Sequence, residues 1–192
     1  MGRLLDLLCP AQCAESVDSV DLSELGARGI RALLIDLDNT LVPWRGYEIR
    51  PRVMEWVSSL PDHGMKACIV SNTRHPSRLR QLAGELGIPY ASRGMKPGSV
   101  GFREGMMILE ADISETAVIG DQVFTDILGG NRLSLYTILV SPLQRKEFVG
   151  TKISRLFERI VLKTLSNRGM IEFSRQVSKY AGEQTGGSGR QN

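Results

Sequence analysis

The chain has 192 residues, 42% of them hydrophobic and 23% charged, with a formal net charge of +3. This composition is ordinary for a soluble globular protein, and the length suits one α/β domain better than two. No run approaches the roughly 18 apolar residues of a transmembrane helix, and an odd count of three cysteines (Cys9, Cys13 and Cys68) argues against a disulfide framework. These features favour a cytoplasmic, reducing setting.

In chain order, the sequence predicts a helical lead-in and then alternating strands and helices. Residues 1–30 form the lead-in, in which Asp21 and Glu24 have the spacing of a helix-capping pair. Buried strands are predicted at 32–35, 66–70, 89–91, 116–119 and 135–140, and amphipathic helices at 51–63, 76–87, 99–111 and 123–132. This alternation predicts an α/β core over 31–143, with a central parallel sheet between two layers of helices. Functional residues are then expected at the carboxyl ends of the strands.

The positive charge is concentrated after this core. Residues 144–180 contain nine basic and three acidic residues, a net of +6, which leaves −3 for the rest of the chain. Apolar residues recur at helical spacing within 153–165, so this stretch predicts a basic amphipathic helical segment. Such a helix either lies on an anionic membrane or packs on the core, and the sequence leaves both open. The Gly-rich, polar tail over 181–192 is predicted to be disordered.

Two carboxylates, Asp36 and Asp38, directly follow the first predicted strand of the core. Residues at i and i+2 of an extended segment share a face, so these charges repel unless something neutralises them. A hard divalent cation such as Mg²⁺ is the usual partner of paired carboxylates. One carboxylate can then attack phosphorus while the other transfers protons. The alternative is an acidic turn without chemistry.

Other strand ends carry groups suited to phosphate chemistry. Ser71 and Asn72 follow the run 66–70, where they can hold phosphate oxygens or simply cap the next helix. Lys96, held by a following proline, can neutralise a nucleophile and a transferring phosphoryl group, although a lone Lys-Pro is usually on the surface. Asp121 and Asp126 follow the run 116–119, where Asp121 can complete the metal site and Asp126 can orient metal-bound water or the lysine.

The order Asp-x-Asp-x-Thr, Ser-Asn, Lys-Pro and Gly-Asp-x-x-x-x-Asp resembles that of phosphatases of the haloacid dehalogenase (HAD) superfamily. The resemblance is closest to the bacterial YqeG family of class IIIA phosphatases, spans residues 1–175 and is most specific over 119–132. It implies a HAD-like Rossmannoid three-layer α/β sandwich. It also implies that Asp36 forms an aspartyl-phosphate, and that Asp38 first protonates the leaving alcohol and then activates water.

The resemblance further implies which residues surround the reacting groups. Ser71, Asn72 and Lys96 would hold phosphoryl oxygens. Mg²⁺ would lie on the Asp36 carboxylate, the Asp38 backbone and the Asp121 carboxylate. Thr40 and Asp126 would lie behind the metal ligands and the phosphate-binding residues and would hold them in place.

The spacing of the motifs indicates an open site without a cap domain. Only 33 positions separate Asp38 from Ser71, and 25 separate Ser71 from Lys96. Neither interval is long enough for an inserted domain. An open site suits a phosphate carried on a protein, a nucleic acid or a lipid head group better than a small metabolite, because nothing closes over it. Trp44 follows the nucleophile strand and is expected at the rim.

YqeG-like proteins are similar to organellar and cyanobacterial phosphatases that act on phosphatidylglycerophosphate. The first hypothesis is therefore dephosphorylation of phosphatidylglycerophosphate to phosphatidylglycerol, by an enzyme peripheral to the inner face of the membrane. A second hypothesis is a soluble phosphatase for a sugar phosphate, a nucleotide or a phosphoprotein. A third is a non-catalytic scaffold that binds RNA or a protein. Nucleic acid is not expected as a partner, because aromatic residues are few in the basic stretch 144–180.

Overall fold

A parallel β-sheet organises the computed structural model, which describes residues 2–92, 95–144, 158 and 160–171. Within this part of the chain, five strands pair in the order β1-β5-β4-β2-β3, and every pair is parallel. The strands are β1 (Gln12–Ala14), β2 (Ala32–Ile35), β3 (Lys66–Ile69), β4 (Thr116–Gly120) and β5 (Tyr136–Val140). All four residues of β2 are buried, as expected for a central strand that is covered on both faces.

Helices cover both faces of this sheet, which confirms the predicted three-layer α/β fold. Before β5, the described α-helices are α1 (Gly2–Leu8), α2 (Leu22–Ala27), α3 (Pro51–Ser58), α4 (Pro76–Leu86), α5 (Val100–Leu109) and α6 (Leu128–Arg132). Successive side chains of β2 alternate between the faces. Leu33 and Ile35 pack with α2, α3 and α4 in one apolar cluster, whereas Leu34 packs with Phe102 and Met106 of α5 in another.

A third apolar cluster contains the described part of the basic C-terminal stretch. Residues 160–167 are helical, and Leu162 and Leu165 are buried against Leu8 of α1 and Leu139 of β5. Leu162 and Leu165 of this helix therefore pack on the domain, whereas Ile160 is 56% exposed. Residues 145–157, 159 and 172–192, which include the rest of that stretch and the Gly-rich tail, lie outside the described residues. Of the described helices, none combines the length and apolar character needed to cross a membrane.

The N-terminal lead-in is less helical than the sequence predicts. It contains α1 and α2, but between them β1 joins the edge of the sheet, where Gln12 pairs with Ile138 and Ala14 with Val140. A strand of three residues has too few positions to reveal an alternating pattern, so its pairing depends on the tertiary structure. The predicted strand at 89–91 is reduced to a single parallel bridge between Ile69 and Tyr90.

Two predicted helices are also divided in the structure. The helix predicted over 51–63 ends at Ser58, and a separate 3₁₀ turn covers Pro61–His63, because proline lacks the N–H that would continue an α-helix. The helix predicted over 123–132 begins with a π-helical turn, Val123–Ile127, before α6. This wider turn becomes important at the candidate site.

Close packing between α6 and the sheet requires glycine at position 130. A Cβ there would lie 2.6 Å from Cγ2 of Thr137 and 3.2 Å from Cγ2 of Val118. The Thr137 side chain cannot turn away freely, because its hydroxyl donates to Oδ1 of Asn131 at 3.0 Å. We therefore expect Gly130→Ala to lower the free energy of unfolding by about 1–3 kcal/mol through overpacking, measured by urea denaturation.

The matched control is Gly84→Ala in α4, where a Cβ would meet no atom within 4 Å. This change should be neutral or should raise the free energy of unfolding by up to about 1 kcal/mol, because alanine favours helix. Equal stability of Gly130→Ala and the wild type would contradict the close approach of α6 to the sheet.

Candidate active site

The register of the sheet aligns the carboxyl ends of three neighbouring strands, β2, β3 and β4. Ile35 lies beside Ile69 on one side and Ile119 on the other, and the Asp36 N–H donates to the Ile119 carbonyl at 2.9 Å. The chain therefore leaves the sheet at the same level after each strand. This alignment brings Asp36 and Asp121 together at the carboxyl edge, where both are buried.

Lys96 extends into this edge and joins two of the acids. Its Nζ donates to Oδ1 of Asp36 and, at 2.7 Å, to Oδ1 of Asp126. All three groups are buried, so the ammonium and the carboxylates depend on one another rather than on water. The sequence predicts Lys96 in contact with a phosphoryl group and the nucleophile, and its contact with Asp36 is present in the structure.

The backbone of Lys96 is held by Asn72, which follows β3. Nδ2 of Asn72 donates to the Lys96 carbonyl at 2.9 Å, and Oδ1 of Asn72 accepts from the Lys96 N–H at 2.8 Å. Both ends of this side-chain amide are therefore used to hold the lysine loop. A direct contact of Asn72 with phosphate stays a prediction, while a role in placing Lys96 follows from these bonds.

For Asp36 and for Lys96, burial and the oppositely charged partner shift the pKa in opposite directions. Burial raises the pKa of Asp36 well above its ordinary value; the Lys96 ammonium opposes this, and the carboxylates of Asp126 and Asp121 add to it. For Lys96, burial lowers the pKa, but Asp126 and Asp36 outweigh it and the net pKa is raised. The lysine therefore stays protonated, whereas negative charge on Asp36 needs further compensation.

Three acids meet at this point, and their carboxylates suit a hard cation. Ligand oxygens of Asp36, Asp121 and Asp126 lie within 4.8 Å of one another, and all three residues are buried. One ammonium faces three carboxylates, so a dication would balance the remaining charge, and oxygen donors of this kind are those that Mg²⁺ prefers. Asp126 differs from the other two, because one oxygen accepts from Lys96 and the other from the Gln122 N–H at 3.1 Å. Both of its oxygens therefore accept from donors of the protein, while its supporting role behind the metal ligands stays a prediction.

The position of Asp126 depends on the glycine and the π-helical turn before it. A Cβ at Gly120 would lie 2.2 Å from Cγ of Asp126, so only glycine leaves room for this carboxylate at the end of β4. The turn over Val123–Ile127 is wide enough for the Ile127 N–H to donate to the Gln122 carbonyl at 3.3 Å. Such turns are frequent at functional sites, and here the turn directs Asp126 back over the sheet.

Asp38 lies on the wall of the site and is held by two arginines. Its Oδ1 accepts from the Arg45 N–H at 2.9 Å and lies 3.0 Å from Nη2 of Arg78, and its Oδ2 accepts from Nη1 of Arg78 at 3.2 Å. Sequence reasoning missed Arg78. The available signal was its place on the apolar face of α4, in step with Leu82 and Leu86. A charged residue in that row needs a buried partner.

The remaining predicted residues lie close by. The Ser71 hydroxyl is nearly buried, lines the same pocket and accepts from the Thr73 N–H at 3.2 Å. Thr40 is buried, and its hydroxyl has no hydrogen-bond partner among the described residues. Its contact with a reacting group stays a prediction.

An open pocket of about 500 Å³ lies over these groups. Asp36, Asp38 and Ser71 line it, together with a rim of larger side chains: Trp44, Arg45, Arg74 and His75. The intervals between the motifs contain α3, β3, α4 and the bridge at Tyr90, with residues 93–94 outside the description, so the described chain supplies no cap domain. A larger groove of about 790 Å³ beside Asp18 and Arg50 contains none of the motif residues.

Comparison with known proteins finds relatives that are named as phosphatases. A family model described as HAD-hydrolase-like matches residues 94–142. The probable phosphatase YqeG of Bacillus subtilis (strain 168) is 34% identical over 164 residues, which cover 85% of this chain and 95% of that protein. The chloroplastic phosphatidylglycerophosphate phosphatase 1 of Chlamydomonas reinhardtii is 29% identical over 150 residues, which cover 74% of this chain and 56% of that protein. This chain therefore spans little more than half the length of that relative.

Among solved structures, 3-deoxy-D-manno-octulosonate 8-phosphate phosphatase from Moraxella catarrhalis, in complex with magnesium ion, phosphate ion and KDO, has a TM-score of 0.43 at 15% identity. The match covers 80% of this chain and 100% of that one. The extent and identity of the match to the Bacillus protein decide the family. The chain belongs to the YqeG family of HAD-type phosphatases.

Proposed function

We propose that this phosphatase hydrolyses phosphomonoesters through an aspartyl-phosphate on Asp36. A carboxylate oxygen of Asp36 attacks phosphorus, the ester bond between phosphorus and the alcohol oxygen breaks, and the proton of the Asp38 carboxyl group moves to that oxygen. In the second half, the Asp38 carboxylate takes a proton from the attacking water and the bond between phosphorus and Asp36 breaks. Inorganic phosphate leaves, and both side chains return to their starting states.

The observation that carries this proposal is the buried Lys96 ammonium, which pairs with Asp36 at the floor of an open pocket. A fixed positive charge at this position favours the ionised nucleophile and the negative charge of the phosphoryl oxygens, and it needs no rearrangement during the reaction. The Ser71 hydroxyl, which lines the same pocket, donates to another phosphoryl oxygen.

We assign a divalent cation, taken to be Mg²⁺, to the carboxylates of Asp36 and Asp121 and the backbone carbonyl of Asp38. When bound, this ion supplies positive charge to Asp36 and to the phosphoryl oxygens. Asp126 holds Lys96 and the chain after β4 in place around it. Thr40, buried behind the pocket, supports the loop that carries Asp38.

The proposed substrate is phosphatidylglycerophosphate, which is converted to phosphatidylglycerol. The relative from Chlamydomonas bears that activity in its name, and the uncapped pocket admits a head group that stays attached to a large lipid. This lipid carries a phosphodiester as well as the reacting phosphomonoester. Arg45 and Arg74 at the rim offer guanidinium groups for that second anion.

We further propose that the pocket rim, rather than the C-terminal helix, contacts the membrane. Leu162 and Leu165 are buried in the domain, so they are not available to lipid. At the rim, the Arg45 guanidinium lies 4.6 Å from the centre of the Trp44 ring, and Tyr47, three residues further along the chain, is 54% exposed. Aromatic and cationic side chains together suit the surface of an anionic bilayer.

Phosphate release from phosphatidylglycerophosphate in mixed micelles tests the substrate. We expect release with Mg²⁺ and none with EDTA, and a kcat/KM for the lipid at least about 10-fold above that for glycerol 3-phosphate, which lacks the phosphodiester and the lipid. Faster turnover of glycerol 3-phosphate or of a sugar phosphate would contradict the lipid substrate and leave the phosphatase chemistry in place.

A further inference from the structure

Arg78 is a buried charge that the proposed reaction steps do not use. Its side chain is only 3% exposed, although Ser77 and Arg80 of the same helix are exposed. Removing a guanidinium from water is unfavourable by several kcal/mol unless each donor finds a partner in the protein. The partners of Arg78 therefore indicate what its burial achieves.

All of these partners belong to the loop after β2. The two terminal nitrogens reach both oxygens of Asp38, at 3.0 and 3.2 Å. Nε and Nη2 donate to the Gly46 carbonyl at 2.9 and 2.7 Å. The guanidinium also lies 5.7 Å from the centre of the Tyr47 ring. One side chain thus fixes the carboxylate and the following loop at the same time.

Without Arg78, the Asp38 side chain would not be confined to this orientation. Its side chain is 21% exposed, so water could otherwise hydrate it in several rotamers. Among the described residues, its other donor is the N–H of Arg45. This residue has φ of 56°, in the left-handed region, where a non-glycine backbone is unfavourable. That donor stays in place only while the loop is anchored, and the bonds from Arg78 to Gly46 provide an anchor.

We infer that Arg78 is a positioning residue that orients Asp38 for proton transfer and fixes the loop whose residues Trp44 and Arg45 line the pocket. Arg78 takes no part in the proton transfer itself and acts only through Asp38 and the loop that it holds. The inference rests on the proposed role of Asp38 as general acid and base. It assigns Arg78 of α4 to the same reaction.

Steady-state kinetics with p-nitrophenyl phosphate test this inference. Its leaving group needs little protonation, so weak variants remain measurable, while hydrolysis of the aspartyl-phosphate still requires Asp38 as the general base. We expect Arg78→Met to lower kcat by about 10- to 100-fold with a much smaller change in KM. In the Asp38→Asn background, the same change should have almost no further effect. Arg78→Lys should recover part of the activity only, because an ammonium cannot bind both carboxylate oxygens as a planar fork does.

The matched control is Arg80→Met, which removes the same charge from an exposed position of the same helix and should leave kcat within about twofold. Losses that multiply in the Asp38→Asn/Arg78→Met double variant, or wild-type kcat in Arg78→Met, would overturn the inference. If Arg78→Met does not fold, the same cycle is run with Arg78→Lys. Wild-type activity in Asp38→Asn alone would instead overturn the proposed role of Asp38.

Discussion

Asp36→Asn should abolish turnover while the protein keeps its fold. An amide is a poor nucleophile toward phosphorus, and the substitution also removes the negative charge that pairs with Lys96. We expect kcat to fall by at least about 10⁴-fold for both p-nitrophenyl phosphate and phosphatidylglycerophosphate. The loss should be the same for good and poor leaving groups, because no phosphoenzyme forms with either.

Stability separates this effect from a structural one. Without metal, three buried carboxylates face a single ammonium, so the change to Asn removes like-charge repulsion and leaves the Lys96 contact with Asp126 intact. The free energy of unfolding in EDTA should therefore be equal to or higher than that of the wild type. Asp62→Asn, at an exposed turn, serves as the control and should keep full activity. Activity of Asp36→Asn within tenfold of the control would exclude Asp36 as the nucleophile.

The positions of most site residues could be predicted from the sequence, because the carboxyl ends of parallel strands lie at one edge of the sheet. Asp36, Ser71 and Asp121 each lie within two residues of the end of a strand whose apolar run is visible in the sequence. Once the strands are parallel and in register, these side chains can only meet at that edge. The meeting of Asp36 with Asp121 therefore follows from local patterns and from the sheet.

Residues that act through long-range contacts could not be predicted in the same way. The apolar row of α4 indicates that Arg78 is buried, but it does not reveal the partner, because Asp38 lies 40 positions earlier. Asn72 reads as a phosphate ligand, but its amide is occupied by the backbone of Lys96. The strand β1 pairs with β5, which lies more than 120 positions further along the chain. In each case the partner that decides the role is distant in sequence, and local periodicity carries no record of it.

Removal of the divalent cation should reverse the order of stability between the wild type and Asp121→Asn. Asp121 is fully buried beside Asp36 and Asp126. In EDTA, replacing one of three clustered carboxylates by a neutral amide lessens repulsion, so the variant should be at least as stable as the wild type. With Mg²⁺, the wild type should gain about 2.7 kcal/mol when the free ion exceeds its dissociation constant by 100-fold, and the variant should gain far less.

Asp126→Asn tests whether this response belongs to the proposed ligands. Both oxygens of Asp126 are occupied by Lys96 and the Gln122 N–H, so its replacement should disturb Lys96 while retaining more of the stabilisation by Mg²⁺ than Asp121→Asn does. Thermal unfolding of the three proteins with EDTA and across a Mg²⁺ titration measures both effects without reference to activity. Equal stabilisation of the wild type and Asp121→Asn would place the cation elsewhere. If Asp126→Asn lost more of the stabilisation by Mg²⁺ than Asp121→Asn, Asp126 would be a direct ligand of the ion. Replacing a direct ligand weakens the binding of the ion more than replacing a residue behind it.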